Sequence, residues 1–221
     1  MRYSFFLLLH LSCQLFAQGK LERAMIRQGL VDIQTVDRTI LVDLKYSTTD
    51  NFVGKDVYDD LTRAYLQPMA AKKLAKASGF LQQKNPDFRL LVYDATRPRS
   101  AQWDLWKTLS HLPVNERGKY VSNPRNGSVH NYGCAVDLTI ATKAGKPLDM
   151  GTKFDYFGEL AYPEKEDQLL KQGKLTRKQV ENRRLLRSVM QKAGFSSLKT
   201  EWWHFNALSR AEARKAYKIV E

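Results

Sequence analysis

The hydrophobic residues of this chain change their spacing several times, from the alternation typical of strands to the period of helices and back. Residues 30–46 carry β-branched and apolar side chains in partial alternation, which predicts one or two strands. Residues 66–81 place apolar side chains at helical spacing, and residues 88–93 form a short apolar run typical of a buried strand. These changes limit the chain to a fold that mixes helices with strands.

The second half of the chain continues the mixture. Helices are predicted over residues 98–109 and 176–194, the second with a capping box at its start and a glycine at its end. Residues 133–140 are predicted as a strand, and residues 195–205 as the last extended segment. Because the order shows no regular βαβ repeat, we expect an α+β fold whose central sheet is mostly antiparallel and is flanked by helices.

The first residues have the pattern of a secretory signal. Residues 1–18 contain a basic residue followed by an apolar run that is too short to span a bilayer. We therefore predict a signal peptide over residues 1–18, an exported protein that is periplasmic or secreted, and one domain over residues 19–221 without a transmembrane segment. A lipid anchor at Cys13 is less favoured, because His10 at the third position before it fits a lipidation site poorly.

Composition argues against nucleic-acid binding and against thiol chemistry. The formal net charge is +13, which would attract anionic partners such as cell-envelope polymers. The basic residues are scattered along predicted helices without interleaved aromatics, so solvated helix faces are favoured over a nucleic-acid site. Cys134 lies in a small and apolar run, which predicts a buried, inert thiol rather than a nucleophile.

A histidine and an aspartate lie seven residues apart in the segment 128–137, SVHNYGCAVD. On a strand that starts at Gly133, the residues Gly133, Ala135 and Asp137 share one face. The first two are small and leave open space beside the carboxylate of Asp137, and His130 can fold back over that space. An imidazole and a carboxylate would supply two of the three protein ligands of a catalytic zinc site. Taken alone, this spacing is better explained by a hydrogen-bonded structural pair.

A second cluster, EWWHF, covers residues 201–205 and combines Glu201 with His204. Its aromatic side chains would limit water access, which suits a metal ligand beside a general base. A core strand whose Glu201 and His204 point outward explains the cluster equally well. Arg97, between a predicted strand and a predicted helix, could stabilise an oxyanion, although a surface arginine at a helix start, like Arg99, is the favoured explanation of its position.

Together, these motifs resemble the zinc D-Ala-D-Ala peptidase family, and within it the D-alanyl-D-alanine dipeptidases. The pattern S-x-H-x-x-G-x-A-x-D occurs at residues 128–137, E-x-x-H at residues 201–204 and Arg-Pro at residues 97–98. Further similarity occurs at residues 43–54 and 150–155, so the resemblance covers most of the chain from residue 36 to residue 205. Several motifs in the right order are more specific than any one of them.

The resemblance implies that one Zn²⁺ per chain is held by His130, Asp137 and His204. It also implies that Glu201 is the general base and that Arg97 stabilises the transition state.

For the substrate, the resemblance implies a small dipeptide, D-Ala-D-Ala or a close relative, hydrolysed in the bacterial envelope. Asp155 would pair with its free ammonium, and Ser128 and Tyr46 would line the pocket. The implied fold is the α+β arrangement of zinc D-Ala-D-Ala carboxypeptidases and the hedgehog signalling domain.

The chain departs from the family pattern in places. Many relatives have DGYRP where residues 94–98 read DATRP, and a serine is expected where Val129 precedes the ligand histidine. The family has a second tyrosine in its substrate pocket, and Tyr58 lies near, but not at, the corresponding position in this sequence. An alternative function is a zinc DD- or LD-carboxypeptidase or endopeptidase that acts on longer peptidoglycan peptides. A non-catalytic wall-binding module is less favoured, because Glu201 and Arg97 are both present.

Overall fold

The computed structural model describes residues 19–221, so the predicted signal segment and Cys13 lie outside the described residues. The α-helices of this part are α1 (Lys20–Arg27), α2 (Ile33–Val36), α3 (Pro68–Lys84), α4 (Arg99–Thr108), α5 (Val114–Arg117), α6 (Glu166–Lys171), α7 (Arg177–Lys192) and α8 (Arg210–Ala216). The strands are β1 (Val31–Asp32), β2 (Leu41–Val42), β3 (Tyr65–Leu66), β4 (Phe88–Asp94), β5 (Ala135–Thr142), β6 (Ser196–Ser197) and β7 (His204–Asn206). Short 3-10 helices cover Lys45–Ser47, Val129–Tyr132, Glu159–Ala161 and Pro163–Lys165. No helix within residues 19–221 has the length and apolar character needed to cross a bilayer.

The central sheet has five strands in the order β2-β4-β5-β7-β6. Strand β2 is parallel to β4, and every other neighbouring pair is antiparallel. Strands β1 and β3 form a separate antiparallel pair. The predicted α+β class with a mostly antiparallel sheet is therefore confirmed, and the sheet is mixed because β2 joins it in parallel.

The long helices cover one face of this sheet. In α3, the buried residues recur at helical spacing from Ala70 to Leu81, and the helix ends before Asn85. Helix α7 begins at the capping box that Thr176 forms with Gln179. Both helices contact each other, and they pack on the face of β4 and β5 that carries the apolar core. The opposite face of β5 carries the polar residues Asp137 and Thr139 between two small alanines.

Several sequence predictions need correction. Residues 30–46 form only two strands of two residues each, with α2 between them. Residues 195–205 do not form one extended segment, because the chain bends between β6 and β7 so that the two strands pair with each other. The strand predicted from Gly133 begins at Ala135, since Gly133 has a φ of 67° and ends the preceding 3-10 helix.

Gly133 is the turn between the segment of His130 and strand β5, and we expect Gly133→Ala to be strongly destabilising. A Cβ at this position would lie 2.8 Å from Leu30 Cδ2 and 3.0 Å from Thr96 Oγ1, in addition to the strain of the left-handed backbone. Gly145→Ala is the matched control, because its φ is 82° and no atom would lie within 4 Å of the new Cβ. Urea unfolding should show that Gly133→Ala loses about 1–3 kcal/mol more than the control. Equal losses would contradict this packing.

Candidate metal centre

Three side chains converge at the polar face of β5. His130 lies on the 3-10 helix Val129–Tyr132, Asp137 lies on β5, and His204 lies directly opposite Asp137 on β7. His204 Nδ1 is 2.9 Å from Asp137 Oδ1 and 3.2 Å from His130 Nε2, and His130 Nε2 is 3.4 Å from Asp137 Oδ1. The structure therefore brings together the three residues that the sequence predicts as metal ligands.

The donor atoms of this triangle fit a zinc ion. Zinc bonds of about 2.0–2.2 Å in a tetrahedral arrangement place ligand atoms roughly 3.3–3.6 Å apart; two of the observed distances, 3.2 and 3.4 Å, lie in or next to this range, and the third, 2.9 Å, is a few tenths of an ångström shorter. All three residues are buried, and the donor set of two imidazoles and one carboxylate is one that zinc accepts. Three protein ligands leave a fourth position toward the cavity.

Hydrogen bonds from the far side of each imidazole fix which nitrogen is free to bind a metal. His130 Nδ1 is 2.6 Å from the carbonyl oxygen of Ala95, so this nitrogen carries a hydrogen and donates it. His204 Nε2 likewise donates to Asn206 Oδ1 at 2.9 Å. The lone pairs of His130 Nε2 and His204 Nδ1 are therefore directed into the triangle. Asn206 was not predicted from the sequence.

The electrostatics of the triangle favour a positive charge. Burial alone would raise the pKa of Asp137, but the neighbouring His130 and His204 hold it below its ordinary value. Burial would lower the pKa of His204, but the hydrogen bond and charge of Asp137 raise it to about 9. Because a buried carboxylate needs a compensating charge, a divalent cation suits this position.

The predicted general base lies beside the triangle. Glu201 precedes β7, and its Oε2 is 3.8 Å from His204 Nδ1. Burial raises the pKa of Glu201, although 27% of its side chain remains exposed. The side chain thus lines the cavity rather than pointing outward with His204, as the core-strand explanation would require.

Arg97 is buried, so its position is not that of a surface arginine at a helix start. Its Nε and Nη2 donate to Asp94 Oδ2 at 3.0 and 2.6 Å, and its Nη1 donates to Gln102 Oε1 at 3.1 Å. Its Nη2 also lies 3.7 Å from Asp137 Oδ2. Arg99 instead pairs with Glu221 at the surface. Arg97 is therefore a charged donor held beside the metal ligands.

A bulge in β4 explains why Asp94 can hold Arg97. Up to Val92, which pairs with Leu138, the register of β4 on β5 places even-numbered residues of β4 in the core. The register then shifts so that Asp94 pairs with Asp137, and directly opposed residues share a face. Asp94 thereby moves from the core face to the polar face, where it also accepts a hydrogen bond from Tyr58. Neither the role of Asp94 nor its contact with Tyr58 was predicted from the sequence.

The remaining predicted residues lie on the same cavity. Tyr46 donates from its hydroxyl to Asp155 Oδ2 at 2.8 Å, and the guanidinium of Arg97 lies 4.9 Å from the centre of the Tyr46 ring. Burial raises the pKa of Asp155 well above its ordinary value, despite the opposing effect of this hydrogen bond. Ser128 caps the 3-10 helix that carries His130, because its Oγ accepts the His130 N–H at 3.2 Å.

The cavity that joins these residues has a volume of about 150 Å³. All eight predicted site residues line it: Tyr46, Arg97, Ser128, His130, Asp137, Asp155, Glu201 and His204. Phe157 contacts Phe52 and Tyr120 at its rim, with ring centroids 5.0 and 4.9 Å apart. This aromatic rim was not predicted, and neither was Arg210, which also lines the cavity.

Cys134 takes no part in the site. Its side chain is fully buried, and burial raises the pKa of the thiol to about 12. The prediction of a buried, inert thiol is therefore confirmed.

Two imidazoles and a carboxylate that face a cavity, beside a further carboxylate and a charged donor, are the set of side chains that single-metal hydrolases use. Residues 26–220 match the peptidase M15 family model, described as D-Ala-D-Ala dipeptidase, and the chain belongs to this family.

Named relatives agree with the family. The chain is 33% identical to a D-alanyl-D-alanine dipeptidase of Escherichia coli strain K12 over 176 residues, which cover 80% of this chain and 83% of the relative. It is 31% identical to a D-alanyl-D-alanine dipeptidase of Enterococcus faecium over 192 residues, which cover 80% of this chain and 90% of the relative. It is 32% identical to one of Streptomyces coelicolor over 179 residues, which cover 74% of this chain and 83% of the relative.

The buried pair of Asp94 and Arg97 should be the most sensitive part of the site to loss of charge. We expect Asp94→Asn to lower the free energy of unfolding by about 3–5 kcal/mol, because it leaves a buried guanidinium without its partner. Tyr58→Phe is the control, since it removes one hydrogen bond to Asp94 and keeps the charge; its loss should be about 1 kcal/mol. Urea unfolding of both variants checks the difference, and a mild effect of Asp94→Asn would argue against the pair.

Proposed function

We propose that this protein hydrolyses D-Ala-D-Ala, or a closely related D-amino-acid dipeptide, at a zinc centre held by His130, Asp137 and His204. The observation that carries the proposal is that these three side chains share one small cavity with Glu201 and Asp155. The D-alanyl-D-alanine dipeptidases to which the chain is similar support the same substrate.

A bound zinc ion supplies Lewis-acid activation, which lets a water lose its proton near neutral pH. Glu201 is placed to accept that proton, because its carboxylate lines the cavity beside His204. The raised pKa of Glu201 makes it a stronger base than an exposed glutamate. Arg97 is placed to donate a hydrogen bond to the oxyanion that forms when the amide carbonyl is attacked. Asp94 holds the guanidinium of Arg97 in that orientation.

Asp155 is placed to bind the free ammonium of the dipeptide. Its carboxylate is held by the hydroxyl of Tyr46 and lines the cavity, and the described residues give it no ion pair. A positive charge from the substrate would compensate this carboxylate, whereas a blocked amino terminus would not. Both the charge and the small cavity favour a dipeptide over a longer chain.

We expect Glu201→Gln to abolish proton transfer while zinc stays bound. Loss of a general base lowers kcat by about 10²- to 10⁴-fold, and Glu201 is not one of the three ligands. His204→Ala is the control, because it should lose both zinc and activity. Alanine release from D-Ala-D-Ala and metal analysis of the purified variants provide the two measurements. Normal turnover by Glu201→Gln would refute the assigned base.

A comparison of D-Ala-D-Ala with its N-acetylated form tests the alternative that the protein is a carboxypeptidase or endopeptidase. We expect wild-type protein to cleave D-Ala-D-Ala with at least about tenfold higher kcat/KM than N-acetyl-D-Ala-D-Ala, because loss of one charge-assisted contact costs about that much. Asp155→Asn should remove most of this preference. A preference for the acetylated substrate would favour the alternative and would separate Asp155 from ammonium binding.

We further infer that the enzyme is exported and acts in the bacterial envelope, where its positive charge could bring it to anionic polymers. The apolar run in residues 1–18 and the net charge of +13 support this inference. Recovery of the full chain in the cytoplasmic fraction would count against it.

A further inference from the structure

The cavity contains a cation that the proposed mechanism does not use. Among the described residues that line it, two have a lysine or arginine side chain, namely Arg97 and Arg210. Arg97 is buried, and its guanidinium is bound by Asp94 and Gln102. Arg210 is exposed, and the described residues give it one hydrogen bond, from its Nη2 to Ser122 Oγ at 2.9 Å, and no ion pair. Arg210 therefore has a charge and further N–H groups free for a ligand.

The position of Arg210 is determined by helix α8 and by a hydrogen bond to Ser122. The residue opens α8, whose start is held by a capping box between Ser209 and Glu212. The buried Ala213 packs this helix onto the protein. With its backbone held by α8 and its Nη2 held by Ser122, the guanidinium is directed to the cavity instead of moving freely in solvent.

Arg210 and Asp155 both line the cavity, and each also lines a second groove at the surface. Asp155 also lines a neighbouring surface groove together with Phe52. Arg210 lines another groove, together with Arg214, and the two grooves have no residue in common. Asn206, whose side chain contacts His204, lines the cavity as well. The cavity wall thus carries an acidic group, Asp155, and a cationic group, Arg210, that border different surface grooves, together with the three predicted metal ligands.

This division of charge matches a free dipeptide, which has an ammonium at one end and a carboxylate at the other. The acidic residues Asp137, Asp155 and Glu201 line the same cavity and offer no positive charge to a carboxylate. A guanidinium binds a carboxylate through two parallel hydrogen bonds, which gives both affinity and orientation.

We propose that Arg210 binds the C-terminal carboxylate of the dipeptide. The proposal rests on the dipeptidase function proposed above and adds the second end of the substrate to it. With Asp155 at the ammonium and Arg210 at the carboxylate, the cavity would bind both charged ends of a dipeptide and would favour a substrate of that length.

The test compares Arg210→Met with wild type on two substrates, D-Ala-D-Ala and its C-terminal amide. For D-Ala-D-Ala, the KM of the variant should rise by about 10- to 100-fold with kcat nearly unchanged, because the contact is the same in the ground state and the transition state. For the amide, wild type and variant should have nearly equal KM values. Arg210→Lys should restore part of the preference for the free acid.

Arg214→Met is the matched control, because Arg214 is an exposed arginine one turn further along α8 that does not line the cavity. It should retain the wild-type KM for both substrates. Zinc content and thermal melting of each variant should equal those of wild type.

The outcomes separate the two proposals. If wild type cleaves D-Ala-D-Ala and Arg210→Met behaves like Arg214→Met, the role of Arg210 is wrong while the dipeptidase function stands. Equal losses on the acid and the amide would indicate a structural role and would also overturn it. If wild type with zinc bound cleaves neither substrate, the dipeptidase function is wrong, and the role of Arg210 falls with it.

Discussion

The register of three antiparallel strands holds the metal centre together. Asp137 of β5 faces His204 on one neighbouring strand and Asp94 on the other. Because successive side chains of a strand alternate between its faces, a slip of one residue would turn Asp137 into the core. The apolar residues Val136 and Leu138 on the opposite face prevent such a slip, since they would then be exposed to the cavity. The core thus fixes the geometry of the site.

The buried charges of the site depend on one another. Arg97 offsets Asp94 and lies close to Asp137, while His130 donates to a backbone carbonyl beside Asp94. Burial of a single unpaired charge would cost much free energy, whereas neighbouring groups of opposite charge and hydrogen-bond donors lower the cost of burying each charged side chain. The aromatic rim around the cavity limits water access, and a low local dielectric strengthens each of these interactions.

Local signals were sufficient to predict α3, α7 and the three residues that converge as candidate ligands. The helices have regular apolar spacing and clear ends, and the ligands occur in motifs with specific spacing. The role of Asp94 could not be predicted, because it depends on a bulge whose position is set by the partner strand. Arg210 was equally hidden, since it is one of 36 lysines and arginines and nothing in its neighbours marks it. Residues that act through long-range register or through the path of a loop leave little local signal.

Contacts behind the cavity link the segments of Glu201 and Asp155, the two carboxyl groups proposed to act on the substrate. Trp202, next to Glu201, donates from its indole to Thr152 Oγ1 at 2.7 Å, and Thr152 lies on the loop that leads to Asp155. Arg183 of α7 lies over the Trp202 ring at 5.8 Å, and its Nε donates to the carbonyl oxygen of Met150 on the same loop at 2.6 Å. Burial lowers the pKa of Arg183 to about 10, so the side chain stays charged at neutral pH. One buried arginine therefore contacts both the residue next to the proposed general base and the loop that leads to the proposed ammonium-binding Asp155, so its contacts join the two segments that the proposed mechanism uses.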